Sequence, residues 1–361
     1  MKDTKGSPIR RPFSFSTGMW GGEMVVVLKR GTGEEGIKQV ESLSESLNLS
    51  CHVSRGMERV VIGVIGDDRY MSVERFEALE CVEQVVRVLK PFKLVSREFH
   101  SKDISVEIGD LSVGEGKFIV MAGPCAVEDR PMIEESAAFL SEMGVRIIRG
   151  GAFKPRTSPY SFQGLGEIGL RYLREAADHY GLKTVTEVTG EGTLEAVCEM
   201  SDILQIGARN SQNFQLIQKV AEKSKPILLK KGFMNTVEEL LLSAEYIASR
   251  GNMSIILCER GIRTFETATR NTLDISAVPL IKLQSPLPII VDPSHASGRR
   301  DLIIPLSRAA LAVGANGIEV EVHPRPEKAL SDSKQSLSFG EFEMLMNSLK
   351  ELAGVTELSL T

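Results

Sequence analysis

From Phe118 onward the sequence repeats one alternation eight times: a short, nearly unbroken apolar run, then a longer stretch with apolar residues at helical spacing. The runs are FIVMAG, VRIIRG, KTVTEV, DILQIG, PILLKK, SIILCER, LPIIVD and GIEVEV, and stretches such as MIEESAAFLSEM, GLRYLREAADHY and TVEELLLSAEYIAS lie between them. Strands that are apolar on both faces belong in a parallel sheet covered by helices. Eight is the number that closes a (β/α)8 TIM barrel, and residues 118–354 come close to the ~250 residues typical of one. An open, doubly wound sheet is the competing arrangement. It would carry a glycine-rich nucleotide turn after its first strand, and the GPCAVE found there is not one.

Ahead of the barrel, residues 24–90 read β-α-β-β-α-β, the ferredoxin-like order, with Ile37, Val40, Leu43 and Leu47 forming one apolar stripe on the first helix. Residues 91–117 read as a linker with a short hairpin, residues 1–23 as a disordered or mis-assigned N-terminal extension, and 355–361 as a C-terminal tail. The net charge of −5 argues against a nucleic-acid or membrane-surface role. No apolar stretch reaches the ~20 residues of a membrane span. The five cysteines are odd in number and widely spaced, which suits reduced thiols in a cytoplasmic protein.

A barrel gathers its chemistry where its strands end. Two sets of residues stand there. Cys125, His295, one of Glu319 and Glu321, and Asp332 offer sulfur, nitrogen and two oxygens, a donor set suited to a divalent transition metal rather than magnesium or calcium. Glu319 and Glu321 are two apart and face the same way, and Glu321, nearer the strand end, is the better candidate. The second set is cationic: Arg149, Lys154, Arg156, Arg209, Lys230 and Arg260. Such a concentration at strand ends of an acidic chain points to phosphate oxygens. Lys231 and Arg263 fit ordinary salt bridges equally well. A Lewis acid beside phosphorylated substrates leaves hydrolysis, aldol chemistry and isomerisation open.

The segments AGPCAVE, GGAFKPRTSPYSFQGLG, QIGARN, LLKKGFMNT, CERGIRTFE, VDPSHASGRRDL and EVHPRPEKALSD closely resemble 3-deoxy-D-arabino-heptulosonate 7-phosphate (DAHP) synthases. The resemblance is to the type I beta subtype, which carries an N-terminal ferredoxin-like (ACT-like) regulatory domain, and it runs from Met24 to about Gly354. It implies condensation of phosphoenolpyruvate with erythrose 4-phosphate, the first step of the shikimate pathway. It implies Cys125, His295, Glu321 and Asp332 as ligands of a divalent metal of the Mn, Fe, Co, Zn or Cd type, with no organic cofactor. Arg209, Lys230 and Arg260 would hold the phosphate of phosphoenolpyruvate, Arg149 and Lys154 would lie near its carboxylate, and Arg156 and Thr157 would meet the aldose phosphate.

On that reading Lys154 protonates the forming hydroxyl, while Glu321 or a bound phosphate oxygen activates water. Tyrosine and/or phenylalanine as effectors near His52 and Ser54, and a homotetramer, are further implications. Sister enzymes that use arabinose 5-phosphate carry a different, Asn-containing loop where this chain has KPRTS. A non-catalytic phosphosugar or amino-acid sensor would be expected to lack a metal ligand or Lys154.

Overall fold

The computed structural model describes residues 22–55, 60–66, 72–88, 92–114, 116–156, 158–356 and 358–360. Two compact units divide at Pro91 and Phe92. Residues 1–21, within the expected N-terminal extension, lie outside the described residues.

The first unit is a four-stranded antiparallel sheet with strand order β2-β3-β1-β4, formed by β1 (Gly22–Leu28), β2 (Ser50–Arg55), β3 (Val60–Gly66) and β4 (Val82–Val88). Helices α1 (Glu34–Ser46) and α2 (Val73–Glu77) follow β1 and β3, which completes the expected ferredoxin-like topology. Met24, Val26 and Leu28 alternate onto the buried face and meet Ile37, Val40 and Phe76 from the helices. A register shift at Val27/Leu28 lets Val82 and Val85, three apart, join the same core.

The second unit is a closed barrel of eight parallel strands: β7 (Lys117–Gly123), β8 (Ile147–Arg149), β9 (Lys183–Glu187), β10 (Ile203–Ile206), β11 (Ile227–Lys230), β12 (Ile255–Glu259), β13 (Ile289–Val291) and β14 (Gly317–Glu321). β14 pairs back onto β7 and closes the ring, with Glu321 opposite Gly123. Side chains of one parity, such as Val120, Ile148, Leu204, Leu229, Leu257 and Val320, pack outward into the layer beneath the helices. Those of the other parity fill the barrel with Ile119, Met121, Ile147, Val185, Ile203, Leu228, Ile256, Cys258 and Ile290. Burial pushes the Cys258 thiol well above its usual pKa, as suits a packing residue.

The expectation of a linker over 91–117 needs correction. From Phe92 the chain belongs to the barrel unit: Phe92 and Val95 enter its outer core, and the backbone N–H groups of Leu94 and Val95 donate to the carboxylate of Glu245 at 2.9 and 3.1 Å. The hairpin of β5 (Val106–Ile108) and β6 (Leu111–Val113) sends Val106, Ile108 and Val113 against the interior side chains. It closes the barrel from the N-terminal end of the strands, because those apolar interior residues would otherwise face water. The expected C-terminal tail contributes β15 (Ser359–Leu360), which pairs with Lys117 and Phe118.

Candidate active site

Along six of the eight inward-facing rows, apolar residues give way to polar ones as the strand ends. Ile147 leads to Arg149, Val185 to Glu187, Ile203 to Gln205, Leu228 to Lys230, Ile290 to Asp292, and Ile256 through Cys258 to Arg260. The two-residue period of a strand thus stacks a charged layer on an apolar one. Above it opens a cleft of about 310 Å3, lined by Arg149, Lys154, Arg156, Arg209, Lys230 and Arg260, with His295 and Asp332 at one side. All six expected cations are brought together. Thr157 lies outside the described residues, as do the side chains of His52 and Ser54, whose backbones sit on the edge strand β2.

The charged floor is internally balanced. Arg149 donates to Glu319 at 3.1 Å, to Glu321 at 3.2 Å and to the Pro124 carbonyl at 2.7 Å. Burial opposes its charge, but Glu319 and Glu321 keep it protonated. Lys230 bridges Asp292 at 2.5 Å and Glu319 at 2.7 Å, and those carboxylates likewise outweigh burial. Above this floor the balance ends. Among the described residues, Lys154, Arg156, Arg209 and Arg260 have no carboxylate within salt-bridge distance. Lys154 donates to the Cys125 carbonyl at 2.8 Å, Arg156 to the Phe162 carbonyl at 2.9 Å and Ser331 Oγ at 2.6 Å. Arg260 is buried, rests 4.7 Å over the Phe233 ring and has its pKa lowered by burial. Arg209 lies 5.7 Å from the same ring. Lys231 points to the other side of its strand and is buried against Glu259 at 2.5 Å, outside the cradle, while Arg263 is exposed.

The donor cluster forms beside the cradle. Gly123 is needed where β7 ends: its φ is +153°, and a Cβ there would stand 2.0 Å from the Arg149 carbonyl oxygen. Two residues later Cys125 turns in, its sulfur 2.8 Å from Ser331 Oγ and 3.4 Å from Asp332 Oδ2. Cys125, Glu321 and Asp332 present ligand atoms all within 4.8 Å of one another. His295 Nε2 is 3.2 Å from Glu321 Oε1 and 3.8 Å from Asp332 Oδ2. Cys125, Glu321 and Asp332 thus gather within reach of a single small cation, and His295, which stands outside that mutually close trio, approaches it from the side of Glu321 and Asp332. Asp332 holds a left-handed backbone, φ 52°, unusual for a residue with a side chain. Glu319 lies one layer deeper, between Arg149 and Lys230, which leaves Glu321 as the strand-eight carboxylate at the cluster.

Asp292, directly after β13, is the hub. It caps the short helix Pro293–Ser297, accepting from the His295 backbone at 2.8 Å, and Pro293 fits the first helical position. Its other oxygen lies 2.7 Å from His295 Nδ1, which turns Nε2 toward the cluster. Burial opposes ionisation of this group, but His295 and Lys230 hold its pKa well below the carboxylate range. Burial works against charge on His295 too, yet Asp292 and Glu321 raise its pKa well above the ordinary imidazole value. For Glu321, burial is again outweighed, by His295 first and Arg149 after it, so its pKa is depressed. Arg270 and Gln335, which no sequence pattern marked, also join the site. Arg270 lies 3.5 Å from Asp332 and donates to Gln335 at 3.2 Å, and Gln335 donates to Glu321 at 2.6 Å.

Fold and rim together define a TIM-barrel enzyme with a cation-lined cleft beside a candidate metal site. Residues 98–357 match the DAHP synthetase I family, and residues 24–90 match the DAHP synthase ferredoxin-like domain. The chain belongs to the DAHP synthetase I family. A phospho-2-dehydro-3-deoxyheptonate aldolase of Thermotoga maritima is 66% identical over 330 residues, 91% of this chain and 98% of that protein. A 2-dehydro-3-deoxyphosphooctonate aldolase of Francisella tularensis subsp. holarctica is 31% identical over 268 residues, 68% of this chain and 96% of that protein. The crystal structure of the Thermotoga maritima phospho-2-dehydro-3-deoxyheptonate aldolase (DAHP synthase) superposes with a TM-score of 0.78 at 64% identity, covering 94% of this chain and 100% of that one. A truncated form of the 3-deoxy-D-arabino-heptulosonate 7-phosphate synthase from the same organism gives a TM-score of 0.71 at 61% identity, covering 75% and 99%.

Proposed function

We propose that this enzyme condenses phosphoenolpyruvate with D-erythrose 4-phosphate and water, releasing inorganic phosphate and forming 3-deoxy-D-arabino-heptulosonate 7-phosphate. The observation that carries the reading is the cleft: four cations that have no carboxylate partner among the described residues, beside a trio of sulfur and oxygen donors with His295 next to it. Arg209, Lys230 and Arg260 hold the phosphate of phosphoenolpyruvate, and Arg149 and Lys154 face its carboxylate. Arg156 and Thr157 take the phosphate of the aldose.

Cys125, His295, Glu321 and Asp332 would hold a divalent transition cation, which supplies a Lewis acid for the aldehyde carbonyl. C3 of phosphoenolpyruvate attacks the aldehyde carbon, and the new C–C bond leaves positive charge at C2. Lys154, its Nζ at the Cys125 carbonyl, delivers a proton to the forming hydroxyl. Water adds at C2, giving its proton to Glu321 or to a phosphate oxygen, and the C2–O bond to phosphate breaks. The floor beneath the reacting atoms is buried, so the charges on it act at lower dielectric than they would in water.

The small unit, on this reading, binds tyrosine or phenylalanine near His52 and Ser54. Four copies assemble, and the enzyme works in the cytoplasm; no helix among the described residues is long and apolar enough to cross a membrane. The test is phosphate release from phosphoenolpyruvate with erythrose 4-phosphate and with arabinose 5-phosphate in turn, with and without chelator. Turnover with the four-carbon aldose, lost on chelation and restored by a divalent ion, is the expected result. Preference for arabinose 5-phosphate would move the chain to the sister reaction, and no turnover with either aldose would end the proposal.

A further inference from the structure

Gln335 follows β14 in a tight turn, its N–H donating to the Asp332 carbonyl at 3.2 Å, and its side chain is 3% exposed. It neither lines the cleft nor offers a ligand atom of its own, yet its amide is engaged at both ends. Nε2 donates to Glu321 Oε2 at 2.6 Å, and Oε1 accepts from Arg270 Nη1 at 3.2 Å. The chemistry of the neighbours fixes this orientation: a guanidinium only donates, and an ionised carboxylate only accepts. An uncharged side chain with one donor and one acceptor at its tip is what can join the two. Glu at this position would meet Glu321 with like charge, and Leu would leave Glu321 Oε2 without this donor and Arg270 without this acceptor.

The consequence falls on the carboxylates. With Oε2 of Glu321 taken by Gln335, Oε1 is the oxygen that faces His295 Nε2 at 3.2 Å, and it also accepts from Arg149 Nη1 at 3.2 Å. With Oδ1 of Asp332 drawn toward Arg270 at 3.5 Å, Oδ2 is the oxygen facing Cys125, at 3.4 Å. One guanidinium, directly and through one amide, therefore selects a single oxygen from each carboxylate. We propose that Gln335, anchored by Arg270, is a positioning residue of the cation site, presenting Glu321 through Oε1 and Asp332 through Oδ2. This rests on the cation-site reading above. Groups that orient a ligand in this way typically change metal affinity about 10- to 100-fold when removed.

The test needs no substrate. The full-length protein, stripped of metal by chelator, is titrated with Co2+ while absorption from thiolate-to-cobalt charge transfer and the visible cobalt bands are followed. Gln335→Leu is expected to bind Co2+ about 10- to 100-fold more weakly, with altered visible bands as the Glu321 carboxylate reorients. Arg270→Met, at a partly exposed site, is expected to shift affinity in the same direction by a smaller factor. A purely structural role would lower the melting temperature and leave the cobalt spectrum of the folded fraction unchanged. Wild-type affinity and spectrum in Gln335→Leu overturn the proposal. If that variant does not fold, wild-type affinity and spectrum in Arg270→Met do so. A wild-type protein that shows no thiolate–cobalt band instead overturns the cation site itself, and this inference with it.

Discussion

Replacing Arg260 by Met tests whether the cradle keeps a cation unbalanced for the sake of its ligand. Arg260 is buried, its charge is opposed by burial, and among the described residues no carboxylate lies within salt-bridge distance of it. Met nearly preserves the volume and removes the charge. In the free enzyme little is lost: the His295 carbonyl that accepts from Arg260 at 3.0 Å also accepts from Asn271 at 3.0 Å. The melting temperature of the ligand-free variant is therefore expected to hold or rise, since a desolvated, unpaired charge is gone. Binding should behave in the opposite way. Two charge-assisted hydrogen bonds to a phosphate amount to about 3–6 kcal/mol gross. Arg209 and Lys230 remain and water refills the gap, so the lower end applies, about 3 kcal/mol or roughly a 150-fold rise in the dissociation constant of phosphoenolpyruvate. Calorimetric titration with phosphoenolpyruvate, paired with melting curves in its absence, measures both. Wild-type affinity in the variant, or a marked drop in its ligand-free melting temperature, would refute the reasoning.

Cys125→Ser and His295→Ala are each expected to abolish divalent-ion-dependent phosphate release while leaving the circular dichroism spectrum intact; full activity of either in chelator-treated buffer contradicts the ligand assignment. Lys154→Met should lower kcat by about 10²–10⁴-fold if Lys154 is the proton donor, and a change confined to KM would reduce it to a binding residue. Asp202 accepts from Arg174 at 2.7 Å and from the Thr184 backbone at 2.8 Å, and although burial works to raise its pKa these bonds hold it below the usual value. Its stabilisation is present above the unfolded value of about 4 and is lost as pH falls through the lower folded value. Asp202→Asn should therefore cost about 1 kcal/mol at neutral pH in urea unfolding and flatten the acid dependence below pH ~4. Removing residues 1–91 should abolish inhibition by tyrosine or phenylalanine, and unchanged sensitivity would exclude the small unit as the effector site.

What the chain reveals before folding follows the range of the interaction. The barrel was legible because each strand writes its own two-residue period: apolar inward residues such as Leu228 and Ile290 lead to Lys230 and Asp292 at the strand ends. The DAHP synthase resemblance held over the whole matched region. Alternation could not separate Glu319 from Glu321, because they share a face; only the depth at which Arg149 and Lys230 meet Glu319 does so. Arg270 and Gln335 stayed hidden because loops carry no period, and their partners lie 62 and 14 residues away. Asp292 offered a local signal that went unread: an acidic residue before Pro at a helix start caps that helix, which aims it at His295. The hairpin over Val106–Val113 was visible as alternating apolar residues, but its seat inside the barrel depends on eight distant strands.

The pairing of Ser359 and Leu360 with Lys117 and Phe118 places the last described residues of the chain beside the start of the first barrel strand. In a chain trimmed to begin at Lys117, a short peptide could join those two points, and new ends could be opened in an exposed helix–strand connection elsewhere on the ring. Such a circular permutant would keep every neighbour among the eight barrel strands while changing the order of synthesis, so the barrel's connectivity could be varied independently of its chemistry.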